Sequence, residues 1–302
     1  MITLPEQFIK TIKDIHKEKG EIWLENFEDL CHKCENRWNM KILSPFALSY
    51  NFVAPIIIEG NKNAVIKLAV PNEEFNDEIE ALYELKDADF VKVIDYDLKE
   101  GILILERLLP GNTLASIENE ELEMQIAVKV MKNLWKKPST SSKLPTIFNR
   151  EKSFSRIVEK FPNGLGPISK ELLLDAFSTF KEMNSSQSTQ YLLHGDLHHY
   201  NLLNAGEDSW KVIDPKGLIG EREYDLIQFL LNNLEGKGIS TTLEKRIDLL
   251  VNELNLNKER LLLWGYSHAV LSTCWSLEDE GTYNENFFNA INIFKQLHRE
   301  FF

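Results

Sequence analysis

The chain has 302 residues, 43% of them apolar and 27% charged, an ordinary globular usage that excludes wholesale disorder. Its 34 Lys and Arg stand against 47 Asp and Glu, a formal charge of −13 that repels nucleic acid and anionic lipid and favours cationic small molecules. At ~150 residues per domain the length fits one large domain or two lobes, enough to bury a core without disulfide or metal staples.

No uncharged apolar run approaches the ~18–20 residues of a membrane span. The run over 101–109 is short and is broken by Glu106 and Arg107. Residues 1–20 are charged throughout and lack the apolar centre of a signal peptide. Three cysteines suit a reducing compartment better than a disulfide framework. These features predict a soluble cytoplasmic protein with neither a nucleic-acid nor a membrane partner.

Leu4, Phe8, Ile12 and Ile15 keep helical spacing, and Gly20 is expected to close that helix. Trp23, Phe27, Cys31, Cys34 and Trp38 form a second apolar stripe, so the first 40 residues read as two helices. From Lys41 the pattern turns to β, through Phe46, Leu48, Phe52, Val53 and Pro55-Ile-Ile-Ile58. The turn cluster Glu59-Gly-Asn-Lys-Asn63 and the run Ala64-Val-Ile-Lys-Leu-Ala-Val70 complete a hairpin. A helix follows Pro71, with Phe75, Ile79, Leu82 and Leu85 on one side; two more strands, 91–96 and 102–109, flank the turn 98–101.

After Pro110-Gly111 long helices are expected over about 117–136, 151–161, 169–183, 223–233, 241–255, 258–278 and 285–300. Residues 137–145 read as a polar loop, and a β-like island covers 191–203 and 210–213. The layout is a small β-rich lobe over 1–107, with two leading helices, and a larger helical lobe over 108–302, with a hinge near 106–111.

The stretch richest in chemistry is His194-Gly-Asp-Leu-His-His-Tyr-Asn201, followed by Lys211-Val-Ile-Asp214. An Asp and an Asn on one loop, joined by a second Asp at the end of a short strand, make the set that phosphoryl transfer from ATP requires. Asp196 is the candidate base, and Asn201 and Asp214 are candidate Mg²⁺ ligands, since hard oxygen donors suit that ion. The plain alternative is a turn rich in hydrogen-bonding side chains beside an unrelated strand-end Asp. Lys67 lies mid-strand in an apolar run, where an ammonium needs a partner. The following helix offers Glu74, Glu78 and Glu80; Glu78, in register with Leu82 and Leu85, is the choice, against an edge-strand lysine that simply faces water. The segment Ile104-Leu-Glu106-Arg-Leu108 has the position from which backbone groups at Glu106 and Leu108 would meet an adenine edge. Cys31 and Cys34 suggest a metal or redox pair, but helical spacing beside Phe27 and Trp38 favours packing, and no second pair completes a zinc set.

The order Lys67, Glu78, Leu105-Glu-Arg-Leu-Leu-Pro-Gly111, His194-Gly-Asp-x-x-x-x-Asn201, Ile213-Asp214 resembles the aminoglycoside phosphotransferase family, relatives of the protein kinases. His194-Gly-Asp-Leu-His-His-x-Asn-Leu-Leu203 and Val212-Ile-Asp-Pro-Lys-Gly-Leu-Ile-Gly-Glu221 are most similar to its streptomycin-kinase and hydroxyurea-phosphotransferase branch. The resemblance runs nearly end to end. It implies an α+β, two-lobed, protein-kinase-like fold, ATP with Mg²⁺, and phosphorylation of a hydroxyl on a small polar compound that is often cationic. The G-x-G-x-x-G loop of protein kinases is missing, and Ser49-Tyr-Asn-Phe52 is the candidate turn over the phosphates.

Lys216 occupies a position particular to that branch, where it either adds positive charge at the γ-phosphate or pairs with a carboxylate such as Glu221. His194 is expected to brace the catalytic loop, His198 and His199 to pack or face solvent, and Asp225 to anchor the loop. Recognition of a cation would require acidic groups; Glu278, Asp279 and Glu280 after Trp275 form the first candidate cluster, Glu221 and Glu223 the second. The plain alternative is a solvated helix end. The expected activity is ATP-dependent O-phosphorylation of an aminocyclitol antibiotic or related compound. A metabolic kinase for a sugar, choline-like or methylthioribose-like acceptor is one alternative, and a catalytically silent nucleotide-binding module is another.

Overall fold

In a computed structural model, which describes residues 2–86, 89–234, 239–279 and 281–302, the chain opens with three helices, α1 (Glu6–His16), α2 (Glu18–Glu25) and α3 (Phe27–Arg37). The two-helix expectation is corrected here. The break falls at Lys17, which takes a left-handed φ of 52°, and Gly20 lies inside α2. A Cβ at Gly20 would stand 2.5 Å from Ile12 O, so the glycine permits close helix packing and does not end a helix.

Five strands follow: β1 (Met40–Ile42), β2 (Phe52–Ile58), β3 (Lys62–Leu68), β4 (Val93–Asp97) and β5 (Ile102–Glu106), with α4 (Glu73–Glu84) between β3 and β4. They form an antiparallel sheet in the order β1-β2-β3-β5-β4. The period-two rule sorts its side chains. Ile66, Leu68, Ile102 and Ile104 pack with Phe8, Ile12, Trp23 and Phe27 of the leading helices. Leu103 and Leu105 on the other face pack with Phe75, Ile79 and Leu82 of α4 and with the rest of the chain. Both faces are covered, so the strands read as near-continuous apolar runs. Lys67 opposes Val53 on one side and Leu103 on the other, which places it in the middle of the sheet on the α4 side.

The remainder is mainly helical: α5 (Glu120–Met131), α6 (Ile147–Lys160), α7 (Lys170–Ser185), α8 (Arg222–Asp225), α9 (Ile227–Leu231), α10 (Ile239–Leu254), α11 (Lys258–Asp279) and α12 (Glu285–Phe301). Caps set two of the boundaries that periodicity misplaced. Asn119 accepts from Leu122 N at 2.9 Å and starts α5, and the Thr146 N–H donates to Asn149 Oδ1 at 3.2 Å where α6 begins. The single helix expected over 223–233 is divided at Leu226 into α8 and α9. Helix α11 is buried nearly all round, with Phe180 and Tyr224 edge-on to its Trp264. Short strands complete the fold: the two-residue pair β6 (Gly164–Leu165) and β7 (Ile168–Ser169), then β8 (Tyr191–Leu193), β9 (Leu202–Gly206), β10 (Ser209–Val212) and β11 (Leu218–Gly220). Strand β11 pairs β8, and β9 pairs β10, so the loops after β8 and β10 come side by side. Among the described residues, no helix is long and apolar enough to cross a membrane.

Candidate active site

Strand β3 and helix α4 are adjacent in sequence, and their docking brings Lys67 to Glu78. Lys67 Nζ donates to both Glu78 oxygens, at 2.8 and 2.7 Å, with both residues buried. The same ammonium bonds Asp214 Oδ1, from a loop 147 residues away. Burial opposes the charge on Lys67, but Glu78 and Asp214 outweigh it and hold its pKa above the ordinary lysine range. At Asp214 burial pushes the carboxyl up, while Lys67 and then Lys216 pull it well below the usual range. The three candidate acids of α4 have separate partners: Glu78 meets Lys67, Glu74 pairs with Lys216 at 2.5 Å, and Glu80 accepts from Lys143 N at 2.6 Å.

The two loops are sewn together by backbone bonds. His194 O accepts from Lys216 N at 2.8 Å and Gly217 N at 3.1 Å, and Ile213 N donates to Asn201 O at 3.0 Å. His194 Nδ1 accepts from Asp196 N, which leaves its Nε2–H to donate to Ile213 O at 2.8 Å; the neighbours thereby select the tautomer. Asp225 accepts from His194 N, Gly195 N and Trp135 Nε1 at 2.8–2.9 Å, so its carboxylate is fully engaged with the loop and with the segment that follows α5. A short 3-10 turn, His199–Asn201, then brings Asn201 back to Asp196, where its Nδ2 donates to the Asp196 carbonyl at 3.0 Å. That bond commits the amide nitrogen and leaves the amide oxygen for a cation. The Asp196 carboxylate is about one-third exposed, with His198 Nε2 3.8 Å away. Burial lowers the His198 pKa against the pull of Asp196.

Other candidates are placed differently from the expectation. Lys216 pairs with Glu74 and not with Glu221. Glu221 is buried and accepts from Arg260 at 2.6–2.7 Å and Trp264 Nε1 at 3.0 Å, while Glu223 accepts from Asn257 N at 3.0 Å. Both glutamates thus tie the start of α8 to α11. Glu278 is held by Lys160 at 2.6 Å, Asp279 is exposed, and Glu280 lies outside the described residues. Trp275 donates to Ser153 Oγ at 3.0 Å and carries the Arg150 guanidinium 5.3 Å over its ring. Of that first acidic cluster, Glu278 is thus engaged by a protein cation and Asp279 faces solvent. At the end of β5 the Glu106 N–H is taken by Lys92 O at 2.9 Å, and its carboxylate bonds Lys92 N and Lys211. Leu108 makes no hydrogen bond among the described residues, so its backbone groups are not taken by protein partners there. Cys31 and Cys34 are free and buried in the helical core, and no group of three or more metal-ligating His, Cys, Asp or Glu occurs among the described residues.

One buried set escaped the sequence reading. Glu123 of α5 accepts from His199 Nε2 at 3.0 Å, Arg246 Nη2 at 3.1 Å and Asn233 Nδ2 at 3.0 Å. The His199 ring is fully buried and stacks on Phe229 at 4.1 Å. The signal was present: Glu123 stands in helical register with Ala127 and Val130, and Arg246 lies between Leu243 and Ile247, charges on apolar faces.

A small antiparallel sheet carrying a buried Lys–Glu pair, set over a helical body whose loops present Asp, Asn and a second Asp, defines a protein-kinase-like phosphotransferase. The chain belongs to the family described as aminoglycoside/hydroxyurea antibiotic resistance kinase, whose model matches residues 45–280. It is 25% identical over 288 residues to streptomycin 6-kinase of Streptomyces glaucescens, with 92% of each chain covered. It is 24% identical to hydroxyurea phosphotransferase of Kitasatospora aureofaciens, covering 92% of this chain and 82% of that one. Among solved structures it resembles choline kinase from Streptococcus pneumoniae, with a TM-score of 0.64 at 15% identity, covering 92% of this chain and 100% of that one. An aminoglycoside phosphotransferase solved with ADP and hygromycin B gives a TM-score of 0.61 at 12% identity, with 89% and 97% covered. These last two likenesses concern the fold.

Proposed function

We propose that the protein transfers the γ-phosphoryl group of ATP to a hydroxyl of a small, antibiotic-like acceptor. The observation that carries this reading is the convergence of Lys67, Glu78 and Asp214, with the Asp214 loop bonded through Ile213 N to Asn201 O of the loop that carries Asp196. Asp196 accepts the acceptor's hydroxyl proton as the new O–P bond forms and the bond to the leaving ADP breaks. Lys67, oriented by Glu78, holds the α- and β-phosphate oxygens, and the Leu108 backbone meets the adenine edge.

The Asn201 amide oxygen and the Asp214 carboxylate suit Mg²⁺, which prefers hard oxygens and shares its shell with phosphate and water. When bound, Mg²⁺ neutralises charge that develops on the phosphates. Asp225 and His194 fix the loop that carries Asp196 and take no part in proton transfer. Residues 1–107 serve as the nucleotide lobe and 108–302 as the catalytic and acceptor lobe. Three free, buried cysteines support a reducing, cytoplasmic setting.

A second reading concerns the acceptor's charge. With Glu278 paired to Lys160 and the Arg150 guanidinium over Trp275, the surroundings of Trp275 suit a neutral acceptor such as hydroxyurea better than a polycation, with the exposed Asp279 as the opposing charge. Incubation with MgATP and, separately, streptomycin, hydroxyurea, choline and sugars, followed by mass spectrometry, tests both statements. A phosphate adduct on an antibiotic hydroxyl supports the main reading. Adducts confined to choline or a sugar make the protein a metabolic kinase, and no adduct with no ATP consumed makes it a silent module.

A further inference from the structure

The scheme above leaves one lysine of the site without a task. Lys216 lies two residues past Asp214 and is half-buried, with its backbone N–H pinned to His194 O. Its ammonium pairs with Glu74, one turn before Glu78 on α4, so one helix face presents a carboxylate to each of two lysines. The two pairs are not equivalent. The Glu78 side chain is 7% exposed and bonds Lys67 through both oxygens, whereas the Glu74 side chain is 62% exposed and meets Lys216 through one. Lys67 bonds Asp214 directly, and Lys216, two residues further on with its N–H fixed to His194 O, carries a second positive charge on the same loop.

A lysine head is a point charge on a flexible stem, and an exposed single carboxylate holds it weakly. A terminal phosphate carries more charge and more acceptor oxygens than Glu74. We propose that Lys216 is a second phosphate-binding lysine, and that Glu74 competes with the terminal phosphate of a nucleoside triphosphate for its ammonium. The inference rests on the phosphotransferase reading and adds a residue to it. It demands opposite signs from the two members of one ion pair. Loss of Lys216 weakens triphosphate binding, and loss of the Glu74 charge strengthens it. A pair that only braced α4 against the loop would instead shift binding in the same direction whichever member was changed.

Calorimetric titration with Mg²⁺ and either ADP or a non-hydrolysable ATP analogue tests this on the parent, Lys216→Met, Glu74→Gln and the double variant. Lys216→Met should weaken the triphosphate by about tenfold, the scale of one charged hydrogen bond, and ADP by less than about threefold. Glu74→Gln should tighten the triphosphate by roughly two- to fivefold, the scale of releasing one exposed ion pair, and the double variant should match Lys216→Met. Weaker or unchanged triphosphate binding in Glu74→Gln overturns the proposal, as does an equal loss for both nucleotides in Lys216→Met. A parent that binds neither nucleotide overturns the phosphotransferase reading and this inference together. Normal parental binding with indifferent variants overturns this inference alone.

Discussion

Asp196 and Asp214 are both carboxylates on adjoining loops, yet their surroundings separate their tasks. Asp214 bonds the Lys67 ammonium, which with Lys216 holds its carboxyl well below the usual range, while the Asp196 carboxylate is partly open with the His198 imidazole 3.8 Å away. Asp196→Asn should therefore lower turnover by ~10²–10⁴ on a confirmed acceptor and leave nucleotide affinity intact, as steady-state kinetics beside calorimetry would show. Asp214→Ala should abolish the Mg²⁺ dependence of nucleotide binding; a variant that kept it would move the metal elsewhere. Away from these loops, His268 Nδ1 and Tyr224 Oη share a hydrogen bond at 2.9 Å, and His268 Nε2 has no partner among the described residues. Burial, with Arg150 adding to it, pushes its pKa from 6.5 down to about 3. Below pH 6.5 the unfolded chain binds a proton that the folded chain refuses, so this contribution is complete above 6.5 and is lost as pH falls toward 3. His268→Asn should lose less stability than the parent between pH 7 and pH 4; an identical slope in urea unfolding would remove His268 from the account.

Between elements, close approach and buried charge dominate. Gly20→Ala would set a Cβ against the Ile12 carbonyl at 2.5 Å, forcing α1 from α2. A cost of ~1–3 kcal/mol is expected, read as a lower denaturation midpoint with nucleotide affinity unchanged. Glu123, His199 and Arg246 join α5, the turn that carries Asn201, and α10. Arg246→Met leaves the Glu123 charge buried without its main partner and should cost about 3–5 kcal/mol, most of it recovered when Glu123→Leu is added. Chemical unfolding of the single and double variants measures this. Helix periods and caps made most of these elements legible in advance. Periodicity alone misplaced the break at Lys17 because it is silent on backbone sign, and a glycine that serves packing looks the same in sequence as one that ends a helix.

Across the whole molecule, a ligand seated between sheet and helical body should stabilise both. MgATP at 100 times its Kd should add ~2.7 kcal/mol, seen as a rise in melting temperature that Asp214→Ala abolishes. The strands of the sheet, the helix between them and the order of the Lys, Glu, Asp, Asn and Asp residues follow local rules that can be read along one chain. Alternation of apolar residues, the one-turn spacing of α4 and the tight spacing of the catalytic loop need no knowledge of distant contacts. The choice of ionic partners was different. Lys216 met Glu74, Glu221 met Arg260, Glu278 met Lys160 and Glu123 met His199, each across a separation that only docking of the elements closes. A charge carries no periodicity of its own, and its partner is whichever opposite charge the packed backbone delivers within a few ångströms, so the tertiary structure alone decided which acids remained to meet a substrate.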